Sequence, residues 1–209
     1  VEAVVILSRQ EQEYLLRAIE SGLRVASTRE FFLWTQGQLQ ALLPHHVMVA
    51  LQFSPSGAVR RLECLHATVL PPRAGTLLTD RRDGLALRIA RRCMQGARLP
   101  AFGDVGGFRE EMLAAGFDSV LVHGSGALAE GASVFLLFGL PMRPGPRHAY
   151  FLEVLLAHLH LALLRLPAAE VRAAGLPSRA LSAREAEIIG WLREGKSNEE
   201  MAQILGSAG

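Results

Sequence analysis

The chain has almost no lysine: Lys196 is the only one among 22 basic residues, and 20 acidic residues leave a formal charge of +2. So small an excess excludes a polyanionic partner recruited by net charge alone, and the arginine bias reads as genome composition before phosphate recognition. Cysteine is nearly absent as well. Cys64 and Cys93 have no metal-type spacing, and 209 residues, half of them hydrophobic, need no disulfide framework. Both read as reduced thiols of a cytoplasmic protein. Long apolar runs are also missing. The most apolar stretch, Val154–Leu164, contains His158 and His160 and falls short of the ~18–20 residues of a membrane span, so no membrane partner is expected. Val1–Ile6 is apolar but gives way at once to a polar helix, which argues against a signal peptide. What remains is a globular chain sized for one medium domain and a small one.

Helix-start signals recur along it. Ser8 and Glu11 form a Ser-x-x-Glu box, in which hydroxyl and carboxylate each take an orphan N–H of a helix start. The helix runs to about Val25, with Tyr14, Leu15, Ile19 and Leu23 at helical spacing. Ser27 and Glu30 open a second helix through Phe31, Trp34, Leu39 and Leu43, closed by Pro44. The period then becomes two. Val47, Val49, Leu51 and Phe53 alternate as a strand, residues 54–57 supply a turn, and Val59–Val69 returns until Pro71-Pro72 ends it. Asp80 or Asp83 is placed to cap a helix ending at Gly96, and residues 100–107 read as a loop. Phe108–Ala115 is a short helix with Gly116 beyond its end.

Ser119–His123 and Ser133–Leu140 read as strands joined around Glu130-Gly131. The run Val134–Phe138 is apolar on both faces and needs cover on both. His148–Leu166 is a long helix whose core face holds Phe151, Leu152, Leu155, Leu156, Leu159, Leu163 and Leu166. Val154, Leu161 and Leu164 lie outside that face, as further core or as a homodimer interface. The expected fold is therefore α/β, a helix-flanked antiparallel sheet in the order ααββααββα over residues 1–166. That order resembles GAF, PAS and autoinducer-binding sensor domains. Residues 167–180, rich in alanine, proline and glycine, read as a linker, and 181–209 as a separate all-α unit.

The last unit carries the functional signal. Ser182 and Glu185 open a helix with Ala186, Ile189 and Leu192 inward, and Gly195 stops it. Ser197 and Glu200 open another, with Met201, Ile204 and Leu205 inward. Two capped helices across a glycine-containing turn form the front of a helix-turn-helix. The string LSAREAEIIGWLREGKSNEEMAQILG closely resembles the opening half of the LuxR-type (GerE-like) DNA-binding domain, with Arg184, Glu185, Glu187, Gly195, Ser197, Asn198, Glu200 and Ala202 in family positions. The string FFLWTQGQLQALLPHH, Val122-His123-Gly124 and the Ser133–Phe138 strand resemble EpsA-type regulators, which are linked to exopolysaccharide and exosortase gene clusters. The resemblance implies a DNA-binding transcription regulator of exopolysaccharide or biofilm genes. It assigns Lys196, Ser197 and Asn198 to DNA phosphates, a role that suits a helix N-terminus beside a lysine. Arg184, Glu185 and Glu187 would brace the helix-turn-helix.

The resemblance has departures. Where the family continues into a recognition helix, the chain reads Gly206-Ser207-Ala208-Gly209, and residues 168–209 carry five basic against six acidic side chains. Little counterion release is available there, so residues 1–209 alone are expected to hold DNA poorly. The alternative function is a partner that dimerises with full-length regulators and blocks them. Trp34 lacks the tyrosine of the Trp-x-x-x-Tyr pair used by acyl-homoserine-lactone receptors, which leaves any small-molecule ligand open. Adjacent His45 and His46 point to opposite sides of a strand, and His158 and His160 lie about 200° apart on a helix. No Gly-x-Ser-x-Gly surrounds Ser125, and no Lys-Ser/Thr follows the glycines at 103–107. No enzyme, metal or cofactor is expected.

Overall fold

Both N-terminal boxes close as the sequence predicts. In α1 (Arg9–Gly22), the Glu11 N–H donates to Ser8 Oγ (3.3 Å) and the Ser8 N–H to the Glu11 carboxylate (2.8 Å). In α2 (Thr28–Gln36), Ser27 and Glu30 repeat the exchange at 3.2 and 3.0 Å. This second helix is shorter than expected. It breaks at Gly37, the residue with least to lose by leaving a helix, and Gln38–Ala41 continues as a 3-10 turn. The computed structural model describes residues 5–96, 100–103, 107–129, 131–167 and 183–193, with Lys196, Glu200 and Gln203.

Five strands form one antiparallel sheet: β1 (Val47–Phe53), β2 (Val59–His66), β3 (Ala101–Gly103), β4 (Val120–Gly124) and β5 (Ala132–Phe138), in the order β2-β1-β5-β4-β3. β1 and β5 pair along their whole lengths, Val47 opposite Phe138 and Phe53 opposite Ala132. The alternation along β1 sorts the core into two layers. Met48 and Ala50 join Leu65, Phe135 and Leu137 beneath α1, α2 and α6 (Pro146–Arg165). Val47, Val49, Leu51 and Phe53 join Val134, Leu136 and Phe138 beneath α3 (Pro72–Thr79), α4 (Leu85–Gly96) and α5 (Arg109–Ala114). The helix-flanked antiparallel sheet read from the sequence is the observed fold. A fully buried Leu or Phe contributes roughly 1.5–3 kcal/mol, so two such layers supply the stability that one would not.

Two elements were not expected. β2 stops at His66, short of the expected Val69 and of Pro71-Pro72, and Pro72 instead opens α3, because the first helical position needs no N–H and suits the fixed φ of proline. Within the expected loop 100–107, Ala101–Gly103 pairs with β4 as a short edge strand. Neither proposed aspartate caps α4. Asp80 ends α3, its carboxylate accepting the Arg82 N–H (2.8 Å), and Gly84 precedes α4, where a Cβ would lie 2.4 Å from the Asp80 carbonyl. Gly116 (φ 87°) ends α5 as expected. The Phe117 N–H reaches Met112 O (2.8 Å) and the Gly116 N–H reaches Leu113 O (2.9 Å), the double bond of a Schellman close. The chain also holds α7 (Ala183–Arg193), which rests on the 3-10 turn and α2 with Ile189 covered.

Gly131 opens β5 with φ 108°, and a Cβ there would stand 1.9 Å from the Phe53 carbonyl. Both the backbone angle and the space require glycine. Gly131→Ala is expected to lower unfolding free energy by about 2–4 kcal/mol while the folded protein keeps its secondary structure, measured by urea denaturation followed by circular dichroism.

Candidate functional site

The residues singled out at the C-terminal end fall on one helix and just after it. On α7 the Arg184 guanidinium pairs with Glu187 (2.7 Å), one turn on, and lies 5.8 Å from the centre of the Trp191 ring. Both charged side chains are half exposed, so the pair contributes only a few tenths of a kcal/mol. Glu185 lies on the same helix. The Lys196 N–H donates to the Trp191 carbonyl (3.0 Å), which keeps this lysine close to the last turn of α7. Glu200 lies 3.6 Å from Arg17 on α1. Ser182, Ser197 and Asn198 lie outside the described residues.

The structure adds a site the sequence reading missed, where α6 ends and the chain leaves the sheet. On β2, Arg61 and Glu63 alternate with Leu65 and so face α6 rather than water. A bulge at Arg60, between the Gln52–Arg61 and Phe53–Val59 pairs, sets that phase. Arg61 and Glu63 pair at 3.2 Å with side chains only 7% and 11% exposed. Arg61 also donates to the carbonyls of Leu166 (3.1 Å) and Pro167 (2.5 Å), more than a hundred residues away in sequence. Its Nε atom is buried without a partner. The available signal was two charges at inward positions of a strand. Their partner carbonyls, being main chain, left none.

Other polar groups line the same side of the sheet. Ser133, fully buried on β5, meets His160 Nδ1 of α6 at 2.9 Å. His123 on β4 accepts the Gly124 N–H (3.0 Å) at Nδ1, while its Nε2 is buried without a partner. Burial pushes the pKa of His123 and His160 below the ordinary value, and burial together with Arg147 does the same for His148. His45 is buried between α2 and the sheet. Its Nδ1 lies 2.6 Å from Leu43 O and so carries the proton, and Nε2 accepts from Gln36 (3.0 Å). Among the described residues, no three His, Cys, Asp or Glu side chains are grouped to hold a metal ion. Burial raises the Cys64 thiol to about 12, with help from Glu63, and the Cys93 thiol to about 11, so both stay protonated.

Trp34 is a core anchor. Its indole N–H donates to Ala18 O (2.8 Å), and its ring packs so close to Gly22 that a Cβ there would sit 2.6 Å away. The outer face of α6 is apolar too. Tyr150, Val154, Ala157, Leu161 and Leu164 follow alternating steps of four and three residues, and Leu161 and Leu164 are 43% and 36% exposed.

A five-stranded antiparallel sheet closed between two helical layers defines the class to which this fold belongs. Solved structures of SdiA share it. Escherichia coli SdiA matches with a TM-score of 0.53 at 18% identity, over 94% of this chain and 84% of that one. SdiA in complex with octanoyl-rac-glycerol matches with 0.51 at 19% identity, over 96% and 84%. The phycoerythrobilin-bound GAF domain of a cyanobacterial phytochrome aligns over 77% of this chain and 97% of its own at 16% identity, with a TM-score of 0.45. No family model matches the chain, and no curated protein does. At these identities the likeness is one of fold. Among the described residues, no helix is long and apolar enough to cross a membrane.

Two outcomes follow from the buried polar groups. Arg61→Met strands Glu63 as a buried unpaired charge and is expected to cost about 3–5 kcal/mol in urea denaturation. Adding Glu63→Leu should recover most of that loss. Amide exchange in the last turn of α6 should stay faster in both variants, since neither can hold the Leu166 and Pro167 carbonyls. The histidines set a pH dependence. Their folded pKa values are depressed, so their stability is present above the ordinary 6.5 and is lost as pH falls through that value toward the folded ones. Unfolding free energy should drop on acidification across this window, and the drop should be shallower in His123→Gln.

Proposed function

We propose that the chain is a ligand-responsive transcription regulator of the LuxR type. Residues 1–166 form its sensor and dimerisation domain, 167–180 a linker, and 181–209 the front of its helix-turn-helix. The observation that carries this reading is the succession of two signals along one chain: a fold shared with SdiA, a LuxR-type regulator, followed by the string LSAREAEIIGWLREGKSNEEMAQILG. In this reading Lys196, Ser197 and Asn198 hold DNA phosphates, while Arg184, Glu185 and Glu187 brace the motif. The Arg184–Glu187 pair is the described part of that arrangement. The EpsA-type resemblance of residues 31–46 and 122–138 points to exopolysaccharide or biofilm genes as the targets. SdiA was solved with octanoyl-rac-glycerol, and a small molecule is the input proposed here as well. α6 is the output element. It spans the sensor core, and Arg61 fixes the point where the linker leaves it.

The four-three spacing of Tyr150, Val154, Ala157, Leu161 and Leu164 suits an identical helix across a two-fold axis, so α6 is also the proposed homodimer seam. Leu161→Glu combined with Leu164→Glu should convert a dimer to a folded monomer in sedimentation analysis. A dimer that persists would remove α6 from the interface. The functional test is titration of the protein carrying a complete recognition helix against DNA upstream of its own gene, beside residues 1–209. The longer protein should bind selectively. Ser197→Ala should weaken its binding to all sequences alike, since the cap positions the backbone and does not read bases. Unselective binding by the longer protein would overturn the proposal. If the longer protein failed to bind but residues 1–209 blocked a second regulator, the alternative of an inhibitory partner would stand instead.

A further inference from the structure

Where α5 begins, the surface opens into a groove of about 300 Å³ built from three stretches of chain. Arg109 comes from the first turn of α5, Asp118 and Ser119 from the turn into β4, and Leu140 to Arg143 from the loop after β5. These stretches are held from beneath. Phe117 is buried against Phe138, with ring centres 5.3 Å apart, and fixes the backbone entering Asp118. Gly139 (φ 67°) turns the chain beside the His46 ring, where a Cβ would meet Nδ1 at 2.7 Å, and so aims residues 140–143 along the groove.

The lining has a definite chemical polarity. Arg109 and Arg143 are exposed, and among the described residues neither guanidinium has a hydrogen-bond or ion-pair partner. The single lining carboxylate, Asp118, accepts the hydroxyl of the buried Ser119 (3.0 Å). Beside the buried Leu140, Pro141 adds exposed apolar surface, and Met142, 63% exposed, is among the most exposed large apolar side chains of the described residues.

We propose that this groove binds a small amphipathic carboxylate. Two guanidiniums offer paired N–H donors matched to a carboxylate, and the exposed Pro141–Met142 strip takes a hydrocarbon body. With Asp118 the lining carries one net positive charge, which suits a monoanion and opposes a second negative charge on the ligand. The volume is at the lower end of the roughly 300–1,000 Å³ of ligand pockets, which limits the body to a few carbons. The site shares no residue with the α6 seam or the C-terminal motif, and the proposal does not depend on the regulator reading.

The test uses hexanoate as probe, with hexanamide as its uncharged counterpart and inorganic sulfate as a plain anion, titrated into isotope-labelled protein. Hexanoate should produce saturable amide shifts at residues 118–119 and 140–143. Arg109→Gln combined with Arg143→Gln should weaken its binding by about tenfold or more, the loss of a charge-assisted contact, and these exposed positions leave the fold intact. Hexanamide should bind at least about tenfold more weakly. The proposal is overturned if hexanoate shifts no amide in these segments or if the double variant binds it unchanged. It is overturned equally if hexanamide matches hexanoate, or if sulfate saturates the same amides at the same concentration, which would mark an unselective anion surface.

Discussion

A sheet with no face left for water governs this molecule. β1 is buried along its whole length, and β5 from its second residue onward. A strand of that kind is stable only with helices on both sides, because each alternate row of side chains needs its own cover. The element order follows from that need. Two helices, the first pair of strands, two more helices, three further strands with a helix among them, and then α6 distribute cover to the two faces in turn. α6 closes the last open stretch of the first layer, so the longest of the described helices is also the one the sheet needs most.

Against that apolar background, the few inward polar groups gain weight. Arg61 and Glu63 remove two charges from water, which costs several kcal/mol before their attraction is counted. Hydrophobic residues of similar volume would fill the space at least as well. What the ion pair supplies is direction. A guanidinium has donors to spare after meeting one carboxylate, and here they reach the two carbonyls just beyond the end of α6. Main-chain carbonyls at a helix end lack partners within the helix, so the contact meets a need on both sides.

This arrangement gives the proposed regulator a physical route from core to C-terminal unit. α6 touches the sheet along its inner face, presents an apolar stripe outward, and hands the chain to residues 167–180 at a point fixed by β2. A change in sheet packing would shift that point. α7 rests on the 3-10 turn and α2, the elements that also hold the buried Gln36–Gln40–His45 network.

The order and type of most elements, both N-terminal capping boxes and the need for two helical layers were readable from residues 8–166 alone, because periodicity and capping are local properties. The Arg184–Glu187 pairing was implicit for the same reason, the two residues being three apart on one helix. Pro71-Pro72 read only as the end of a strand, whereas the strand stops at His66 and Pro72 starts a helix, a use that only the packing of α3 against β2 selects. β3 could not be seen at all: three residues gain strand character only by pairing with β4. The α6 exit was hidden for a deeper reason. The sequence shows Arg61 and Glu63 in phase with Leu65, but the further partners of Arg61 are backbone atoms of Leu166 and Pro167. Every residue carries a carbonyl, so no pattern in the side chains could mark these two, and only the packing of α6 on the sheet brings them within reach of Arg61.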